Sequence, residues 1–345
     1  MEINARDYFI LFTVTLILVG LLTPLVRKFA ISKQILDLPN SNHKTHQQVV
    51  PYLGGVAIAL GIIIVTYVAL ITKGSSTNDF LLATSLIGPA IALGLVGLWD
   101  DIRNLPPLPR FIGQSLTGLL VSVFLILGDN VANLTSLTLL DFSITIFWVV
   151  GICNSINFFD NLDGGAAGTV AISALFLTYL ALQSRQSFIA ALAIVTAGAT
   201  FGFLIWNRPP ARIYMGDAGA LFLGVLIATL SIRLNPITES TLASLAVPIL
   251  LLGIPILDTS VAVLSRVRRG ISPFQGGTDH LSHRLRRLGL SRKVSVVVLW
   301  FLSVVFGILV LILTNINSQF ELLIVFSSAL LWIMLFTAFF KTSDT

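Results

Sequence analysis

Long apolar runs separated by short polar loops fill most of the chain. Each run is about 20 residues long, the length of an α-helix that spans a bilayer, and none shows the two-residue alternation of a barrel strand. The predicted segments are approximately 8–26, 52–72, 80–98, 111–127, 139–153, 165–182, 188–206, 218–232, 242–264, 294–314 and 320–340. The pattern predicts an all-α, polytopic integral membrane protein with about 11 transmembrane helices, of which the fifth is the shortest.

The composition agrees with this class of protein. Hydrophobic residues make up 55% of the 345 residues and charged residues only 11%, whereas soluble domains carry about 25% charged residues. No stretch is long enough for a separate soluble domain, so residues 1–345 are expected to form one transmembrane domain. The first segment lacks a basic start and a small-residue cleavage site, and we expect a retained helix. The single cysteine, Cys153, excludes an internal disulfide and a cysteine-based metal site.

The basic residues divide unevenly between the two sides of the predicted bundle. All but four of the 21 lysines and arginines lie on the side of the loop that follows the first segment, here called the basic side. The four exceptions are Arg6, Lys73, Arg185 and Arg233. The positive-inside rule places this side in the cytoplasm. The N-terminus is therefore predicted outside, the C-terminus inside, and the protein in the inner (plasma) membrane.

Polar residues recur every third position after the fifth segment. Asn154, Asn157, Asp160 and Asp163 have this spacing and are followed by two glycines. On a helix, each would be a surface neighbour of the next. Amides and carboxylates at a membrane boundary are costly unless something binds them. The spacing therefore predicts a binding element, and the alternative is a polar connector that water satisfies.

Further carboxylates cluster on the basic side. Asp100 and Asp101 are adjacent, and like charges so close repel unless a cation or a basic group lies between them. Such a pair suits a divalent metal or a general base, and the alternative is a helix end with Arg103 as counter-ion. Asp217 falls where the eighth segment begins, so its alternative is a simple charge at a helix N-terminus.

Basic and histidine residues accompany these carboxylates. Lys44 lies between two histidines, of which the second is His46, and would suit a phosphate as a point charge. The alternative is an ordinary positive-inside lysine. His280 and His283 are three residues apart and share a face if helical. The arginines of this loop, Arg266 among them, match either a phosphate-rich substrate or lipid headgroups.

The loops of the basic side are interpreted as one site. They are approximately 27–51, 99–110, 154–164, 207–217 and 265–293. Carboxylates, asparagines, histidines and basic residues on one membrane face are typical of Mg²⁺-dependent phosphoryl transfer. Charges at the membrane edge argue against a transporter of phosphorylated solutes, whose site would lie near the bilayer midplane. A lipid-binding scaffold without activity accounts less well for the repeated acidic clusters.

Five motifs in these loops carry a family resemblance. They are Asp-x-Pro-Asn…Lys-x-His, Asp-Asp-x-x-x-Leu-Pro-Pro, Asn-x-x-Asn-x-x-Asp-x-x-Asp-Gly, Met-Gly-Asp-Ala-Gly and His-x-x-His-Arg-Leu. From Asp37 to Arg287 the chain resembles the polyprenyl-phosphate N-acetylhexosamine-1-phosphate transferases of glycosyltransferase family 4, which include the WecA/TagO and MraY types. The resemblance implies that polyprenyl phosphate attacks the β-phosphorus of a UDP-N-acetyl-amino sugar and that UMP leaves.

The resemblance also implies a cofactor and the groups around it. The cofactor would be Mg²⁺, for which Mn²⁺ could substitute, and its ligands would be Asp217 and Asp100. Asp100 with Asp101 would hold or deprotonate the polyprenyl phosphate, and Lys44 would contact a phosphate oxygen. Direct attack and a covalent aspartyl intermediate both stay open. No nucleic-acid partner is expected, and a homodimer is left open.

The remaining site residues are assigned to the donor substrate by the same resemblance. Those expected to line the nucleotide pocket or to bind substrate beside it are Asn154, Asn157, Asp160, Asp163, Asn207, Tyr214 and His46, with Tyr214 stacked on uracil. His280 and His283 would contact the diphosphate or the sugar, and Arg266 would assist them.

Three positions depart from the family pattern. His43 stands where arginine is frequent, Asn161 replaces a glycine between the two aspartates, and Ser282 takes a place often held by histidine. The histidine-rich form marks the muramoyl-pentapeptide branch. The sequence therefore favours UDP-N-acetylglucosamine as the donor, with phospho-N-acetylmuramoyl-pentapeptide transfer (lipid I synthesis) as the alternative.

Overall fold

The computed structural model describes residues 3–37, 49–103, 105–126, 137–273 and 277–342. Within these ranges the α-helices are α1 (Ala5–Ser32), α2 (Gly54–Thr72), α3 (Thr77–Arg103), α4 (Pro107–Ile126), α5 (Thr138–Phe159), α6 (Gly165–Gln183), α7 (Ser187–Asn207), α8 (Gly216–Arg233), α9 (Thr241–Leu251), α10 (Gly253–Arg268), α11 (Leu281–Arg287), α12 (Arg292–Asn315) and α13 (Glu321–Lys341). A short antiparallel pair, β1 (Leu36–Asp37) with β2 (Val50–Pro51), and a 3₁₀ turn at Ser318–Phe320 complete the described elements.

The number of spans agrees with the prediction, but one span is broken. In the described part of the chain, ten helices are long and apolar enough to cross a membrane, and the pair α9–α10 makes up to 11 if counted as one span. This pair bends by 75° where a continuous segment 242–264 was predicted. Pro255 has no N–H to bond the carbonyl of Leu251, and this missing bond accounts for the break.

The fifth span is longer than predicted. Helix α5 has 22 residues because the helix continues through Asn154, whose side chain donates to the carbonyl of Val150 at 2.8 Å, and through Asn157. Asp160 is the C-cap residue, and Asp163 lies beyond the helix. The expectation that the three-residue spacing would place all four polar residues on one helical face is therefore wrong for Asp163.

Helix α8 lies at the centre of the bundle, and nearly all of its side chains are buried. Glycines let neighbouring backbones approach it closely. A β-carbon at Gly97 of α3 would lie 2.4 Å from the carbonyl oxygen of Asp217, and one at Gly55 of α2 would lie 2.1 Å from the amide nitrogen of Gly219. Small residues permit this packing in membrane helices. The beginning of α8 is consequently held between α2 and α3.

A buried arginine joins the last helix to the short helix α11. Arg284 is fully buried, and one of its terminal nitrogens donates to the carbonyls of Phe339 at 2.9 Å and Thr342 at 2.6 Å. Its other groups donate to the carbonyl of Asp279 and the hydroxyl of Ser265. These bonds supply hydrogen-bond donors to backbone carbonyl groups at the C-terminal end of α13. They also fix the position of the histidine-containing loop.

Candidate active site

Asp101 caps the central helix from a neighbouring helix. Its two carboxylate oxygens accept hydrogen bonds from the backbone N–H groups of Asp217 at 2.8 Å and Ala218 at 3.1 Å. The residue before α8, Met215, supplies no side-chain cap. Gly216 has a φ of +74°, where a side chain would be strained, and a β-carbon there would lie 2.6 Å from the Asp101 carboxylate. Asp101 thus positions the beginning of α8.

The side chain of Asp217 is thereby free to face the site. Asp217 is an acidic residue in the first turn of α8, as the alternative of a simple N-terminal charge expected, but its side chain also bonds to side chains of two other helices. One oxygen accepts from Nδ2 of Asn157 at 2.6 Å, and the other accepts from Arg110 at 3.1 Å. The same nitrogen of Arg110 forms an ion pair with Asp100 at 2.8 Å. The second oxygen of Asp100 accepts from the backbone N–H of Leu105 at 2.6 Å.

This arrangement fits a divalent cation whose coordination the substrate completes. Among the described residues, no group of three histidine, cysteine or acidic side chains is arranged to hold a metal ion. However, Asp100 and Asp217 already share one cationic group, the guanidinium of Arg110. Mg²⁺ is commonly held by one or two carboxylates together with substrate phosphates and water. The carboxylate pair has the chemistry for this mode of binding.

Asp160 adds to the negative character of the cluster. Burial, followed by the negative charges of Asp217, Asp101 and Asp163, raises the pKa of Asp160 well above its ordinary value. Three other carboxyl groups, two of them from other parts of the chain, therefore act on Asp160 electrostatically. Such crowding of like charge favours binding of a cation or of a proton.

A pair of amides extends the cluster into a small cavity. Nδ2 of Asn154 donates to Oε1 of Gln114 at 2.8 Å, and Nε2 of Gln114 approaches Oδ1 of Asn154 at 3.4 Å. Together with Arg110, Asn157 and Phe158, the pair lines a cavity of about 40 Å³. The sequence reasoning missed Gln114 and left Arg110 out of the site. Their position four residues apart at the start of the fourth segment was the available signal.

Two predicted nucleotide-pocket residues hold a loop in place. Asn207 is buried, accepts a hydrogen bond from the N–H of Gly164 at 2.9 Å and donates to the carbonyl of Ile213 at 3.0 Å. Asp163 accepts from the N–H of Ala211 at 3.0 Å. The loop between α7 and α8 is therefore fixed to the loop after α5. These contacts give both residues a structural role, and their binding of substrate stays a prediction.

Tyr214 lies beside another tyrosine at the edge of the site. Its ring centroid is 6.1 Å from that of Tyr52. Its backbone N–H donates to the carbonyl of Pro51 at 2.9 Å, and its carbonyl accepts from Gly54 at the same distance. These bonds connect β2 and α2 to the segment that carries Asp217. Stacking of Tyr214 on a base stays a prediction.

The histidine motif is built around a buried aspartate. Nδ1 of His280 lies 2.7 Å from Asp258, and Nε2 lies 3.1 Å from a terminal nitrogen of Arg266. Since the arginine can only donate, Nε2 accepts and Nδ1 carries the proton. Asp258 is fully buried and also accepts from the N–H of Leu281 at 2.7 Å. Asp258 and Arg266 together thus select one tautomer of His280, and Asp258 also orients its ring.

Arg266 is engaged inside the protein. Besides His280, its guanidinium donates to Asp279 at 2.9 Å and to the carbonyl of Pro273 at 2.8 Å, and the residue is buried. Burial alone would raise the pKa of Asp279, but Arg266 and Arg269 outweigh it and hold that pKa below its ordinary value. Arg266 therefore orders the histidine loop, and its assistance at the diphosphate stays a prediction.

His283 adjoins His280 as its spacing predicted, with ring centroids 6.3 Å apart. Burial, followed by the electrostatic influence of the neighbouring His280 and Arg286, lowers the pKa of His283 to about 4. His283 is consequently neutral near pH 7 and can offer a substrate a hydrogen bond, but no positive charge.

Phe158 connects the two halves of the site. Its ring makes an edge contact with His280 at 5.9 Å, lies under the guanidinium of Arg266 at 5.5 Å, and lines the cavity beside Asn157. Ser282, at the start of α11, donates to the side chain of Asn161, which lies in the loop after α5. One hydrogen bond therefore joins these two departures from the family pattern. Lys44 and His46, and also His43, lie outside the described residues.

Comparison with known proteins shows which family the chain belongs to. Residues 83–235 match the family described as glycosyl transferase family 4. Over 325 residues the chain is 34% identical to a protein of Bacillus subtilis named as a probable undecaprenyl-phosphate N-acetylglucosaminyl 1-phosphate transferase, covering 91% of this chain and 87% of that protein. The chain belongs to glycosyl transferase family 4.

Two relatives with lower identity to this chain are named for other activities. A decaprenyl-phosphate N-acetylglucosaminephosphotransferase of Mycobacterium leprae is 32% identical, over 76% of this chain and 73% of that protein. A phospho-N-acetylmuramoyl-pentapeptide-transferase of Geobacillus sp. is 31% identical, over 86% of this chain and 94% of that protein. The family match spans the carboxylate cluster but ends before Asp258 and the histidine motif.

Replacing Asp258 by asparagine is expected to lower turnover by about 10- to 100-fold, the effect of removing a residue that orients a functional histidine. Arg266 still donates to Nε2, so the single Nδ1–H form should persist, but a neutral amide accepts from Nδ1–H more weakly than a carboxylate does. The ¹⁵N chemical shift of Nδ1 should therefore move while one tautomer is retained. Asp258→Glu keeps the charge and is the conservative control. Wild-type turnover together with an unchanged Nδ1 shift in Asp258→Asn would contradict this role.

Proposed function

We propose that this protein transfers N-acetylglucosamine 1-phosphate from UDP-N-acetylglucosamine to undecaprenyl phosphate or another polyprenyl phosphate. UMP is released and a polyprenyl-diphosphate-N-acetylglucosamine forms, as the first membrane step in the synthesis of a cell-envelope glycan. The observation that carries the proposal is the similarity to the Bacillus subtilis relative, which covers 87% of that protein. The carboxylate cluster and the histidine motif give the chain the polar groups that this chemistry needs.

The cofactor in this proposal is Mg²⁺, with Mn²⁺ as a substitute. Asp217 and Asp100 would hold it, and Asn157 could join them if its amide turned to present Oδ1 in place of Nδ2. When bound, the cation neutralises the diphosphate and makes UMP a better leaving group. Asp101 contributes by fixing the backbone of Asp217, because both of its oxygens already accept bonds from α8.

The acceptor phosphate is assigned to Asp100 and Arg110. The structure favours Asp100 over Asp101 for contact with the acceptor, since one oxygen of Asp100 is held by an exchangeable ion pair with Arg110. A guanidinium is well suited to bind a phosphate. Both groups lie at the membrane edge, at the ends of helices whose remaining length is apolar. A lipid phosphate can reach this level while its chain stays among the hydrocarbon tails.

The donor is placed across the mouth of the cavity. A cavity of about 40 Å³ is too small for a sugar nucleotide, since ligand pockets usually measure about 300 Å³ or more. The donor would therefore lie over the loops that contain Asp163, Tyr214 and His280. We also propose that this face is cytoplasmic and that the membrane is the plasma membrane, because the basic residues concentrate there.

The test is UMP release by the purified protein with Mg²⁺, polyprenyl phosphate and a set of UDP-sugars. UDP-N-acetylglucosamine should support turnover, and the muramoyl-pentapeptide nucleotide should not. The reverse preference would establish the second candidate function, phospho-N-acetylmuramoyl-pentapeptide transfer, which the 31% identity to the Geobacillus protein supports. Turnover with neither nucleotide would overturn both assignments.

A further inference from the structure

Arg110 occupies the position that a metal ion would be expected to take. It lies in the first turn of α4, and a single nitrogen of its guanidinium is 2.8 Å from Asp100 and 3.1 Å from Asp217. These carboxylates come from α3 and α8, so one cation joins two separate helices. The arginine side chain is 31% exposed, that of Asp217 is 27% exposed and that of Asp100 is 6% exposed. Asp100 is thus the buried member of the group, and the long side chain of Arg110 has the solvent access to turn away from it.

The crowding of negative charge in the cluster favours a cation. Asp101 and Asp160 lie close enough to Asp217 to act on it or on each other electrostatically. Crowded carboxylates repel, and an opposite charge between them relieves this repulsion. A guanidinium supplies one positive charge and a divalent ion supplies two. A divalent ion is consequently the stronger counter-ion, and it competes with Arg110 for the same oxygens.

We propose that Arg110 is an internal counter-ion that holds Asp100 and Asp217 together until a divalent cation replaces it. The proposal rests on the proposed function only for the identity of that cation as Mg²⁺. Once released, the guanidinium remains at the cavity that it lines with Gln114 and Asn154, where it can bind a phosphate oxygen. When the metal binds, Arg110 would thereby exchange its contacts with Asp100 and Asp217 for a contact with the substrate.

An alternative model, in which Arg110 only preorganises the two carboxylates, predicts the opposite change in metal affinity when Arg110 is removed. If Arg110 only preorganised the two carboxylates, its removal would let them separate and would weaken metal binding. If Arg110 competes with the metal, its removal strengthens metal binding. The direction of the change in metal affinity therefore separates the two models without any measurement of turnover.

The experiment measures Mn²⁺ binding by electron paramagnetic resonance on purified protein in detergent, without nucleotide or lipid. Arg110→Met should bind Mn²⁺ about tenfold more tightly than the wild type, the factor that about 1.4 kcal/mol of removed competition gives. Arg103→Met is the matched control. Arg103 is exposed at the end of α3 and takes part in none of the ion pairs among the described residues, so its variant should bind like the wild type. Weaker or unchanged Mn²⁺ binding by Arg110→Met, or none by either protein, overturns the proposal.

Stability of the metal-free protein gives a second readout. Arg110→Met should melt at a lower temperature than the wild type without metal, and Mg²⁺ should raise its melting temperature more. In the double variant Arg110→Met/Asp217→Asn, loss of one carboxylate should restore most of the metal-free stability, as expected for directly coupled groups. Additive losses would contradict the pairing. Because no UDP-sugar is present, these outcomes are independent of whether the proposed donor is correct.

Discussion

The variant Asp217→Asn is expected to lose UMP release by a factor of about 10³ or more, the scale on which single charged groups act in phosphoryl transfer. Asparagine has nearly the same shape, so the contact with Asn157 can persist in part. It lacks the negative charge that a cation requires and that Arg110 binds at 3.1 Å. Initial rates of UMP release with saturating Mg²⁺ would measure the loss.

The matched control for this variant is Glu239→Gln. Glu239 is exposed in the loop that follows α8, at the other end of that helix, and its replacement also removes one carboxylate. This control should turn over at the wild-type rate. Size-exclusion profiles of both variants should equal that of the wild type. Near-normal turnover in folded Asp217→Asn would remove this residue from the catalytic group.

The second large effect concerns the packing that positions Asp217. In Gly97→Ala, the new methyl group would lie 2.4 Å from the carbonyl oxygen of Asp217 and 2.7 Å from the amide nitrogen of Ala218. Either α3 or α8 must move, and such overpacking typically costs about 1–3 kcal/mol. The movement displaces the bonds from Asp101 to α8. We therefore expect a lower melting temperature together with loss of most of the turnover.

Gly88→Ala is the control for this substitution, because it is the same change on the same helix. A β-carbon at Gly88 meets no atom within 4 Å. The helix propensity that alanine adds is opposed by crowding against the ring of Pro89, the next residue of α3. Gly88→Ala should therefore be as active as the wild type. Equal activity of the two alanine variants would show that the α3–α8 contact does not position the site.

Much of the architecture could be predicted because bilayer length and the positive-inside rule act locally along the chain. The broken span was the exception. Pro248 and Pro255 were visible in the ninth segment, but a proline indicates a weak point and not the direction or the size of a bend. The bend itself is 75°, a value that the local sequence does not specify. The added length of α5 likewise depended on Gln114 satisfying Asn154, a partner 40 residues away.

The roles of the individual site residues could be predicted less well from the sequence. Asp100 and Asp101 are indistinguishable as a sequence pair, yet one faces Arg110 and the other caps α8. Their different roles follow from the turn of about 100° between adjacent helical residues and from the helices they meet. Arg266 carried the signal of a substrate-binding residue, but its partner is Asp279. In the sequence Asp258 is one acid among several, and its importance comes from the loop that folds over it.

The most direct measurement of the central claim follows the β-phosphorus of the donor. UDP-N-acetylglucosamine radiolabelled at that atom is incubated with the purified protein, Mg²⁺ and polyprenyl phosphate, and lipid and nucleotide are then separated. Transfer of a sugar phosphate puts the label in the lipid product and leaves unlabelled UMP. Label retained in UDP, or the absence of a labelled lipid, would contradict the account.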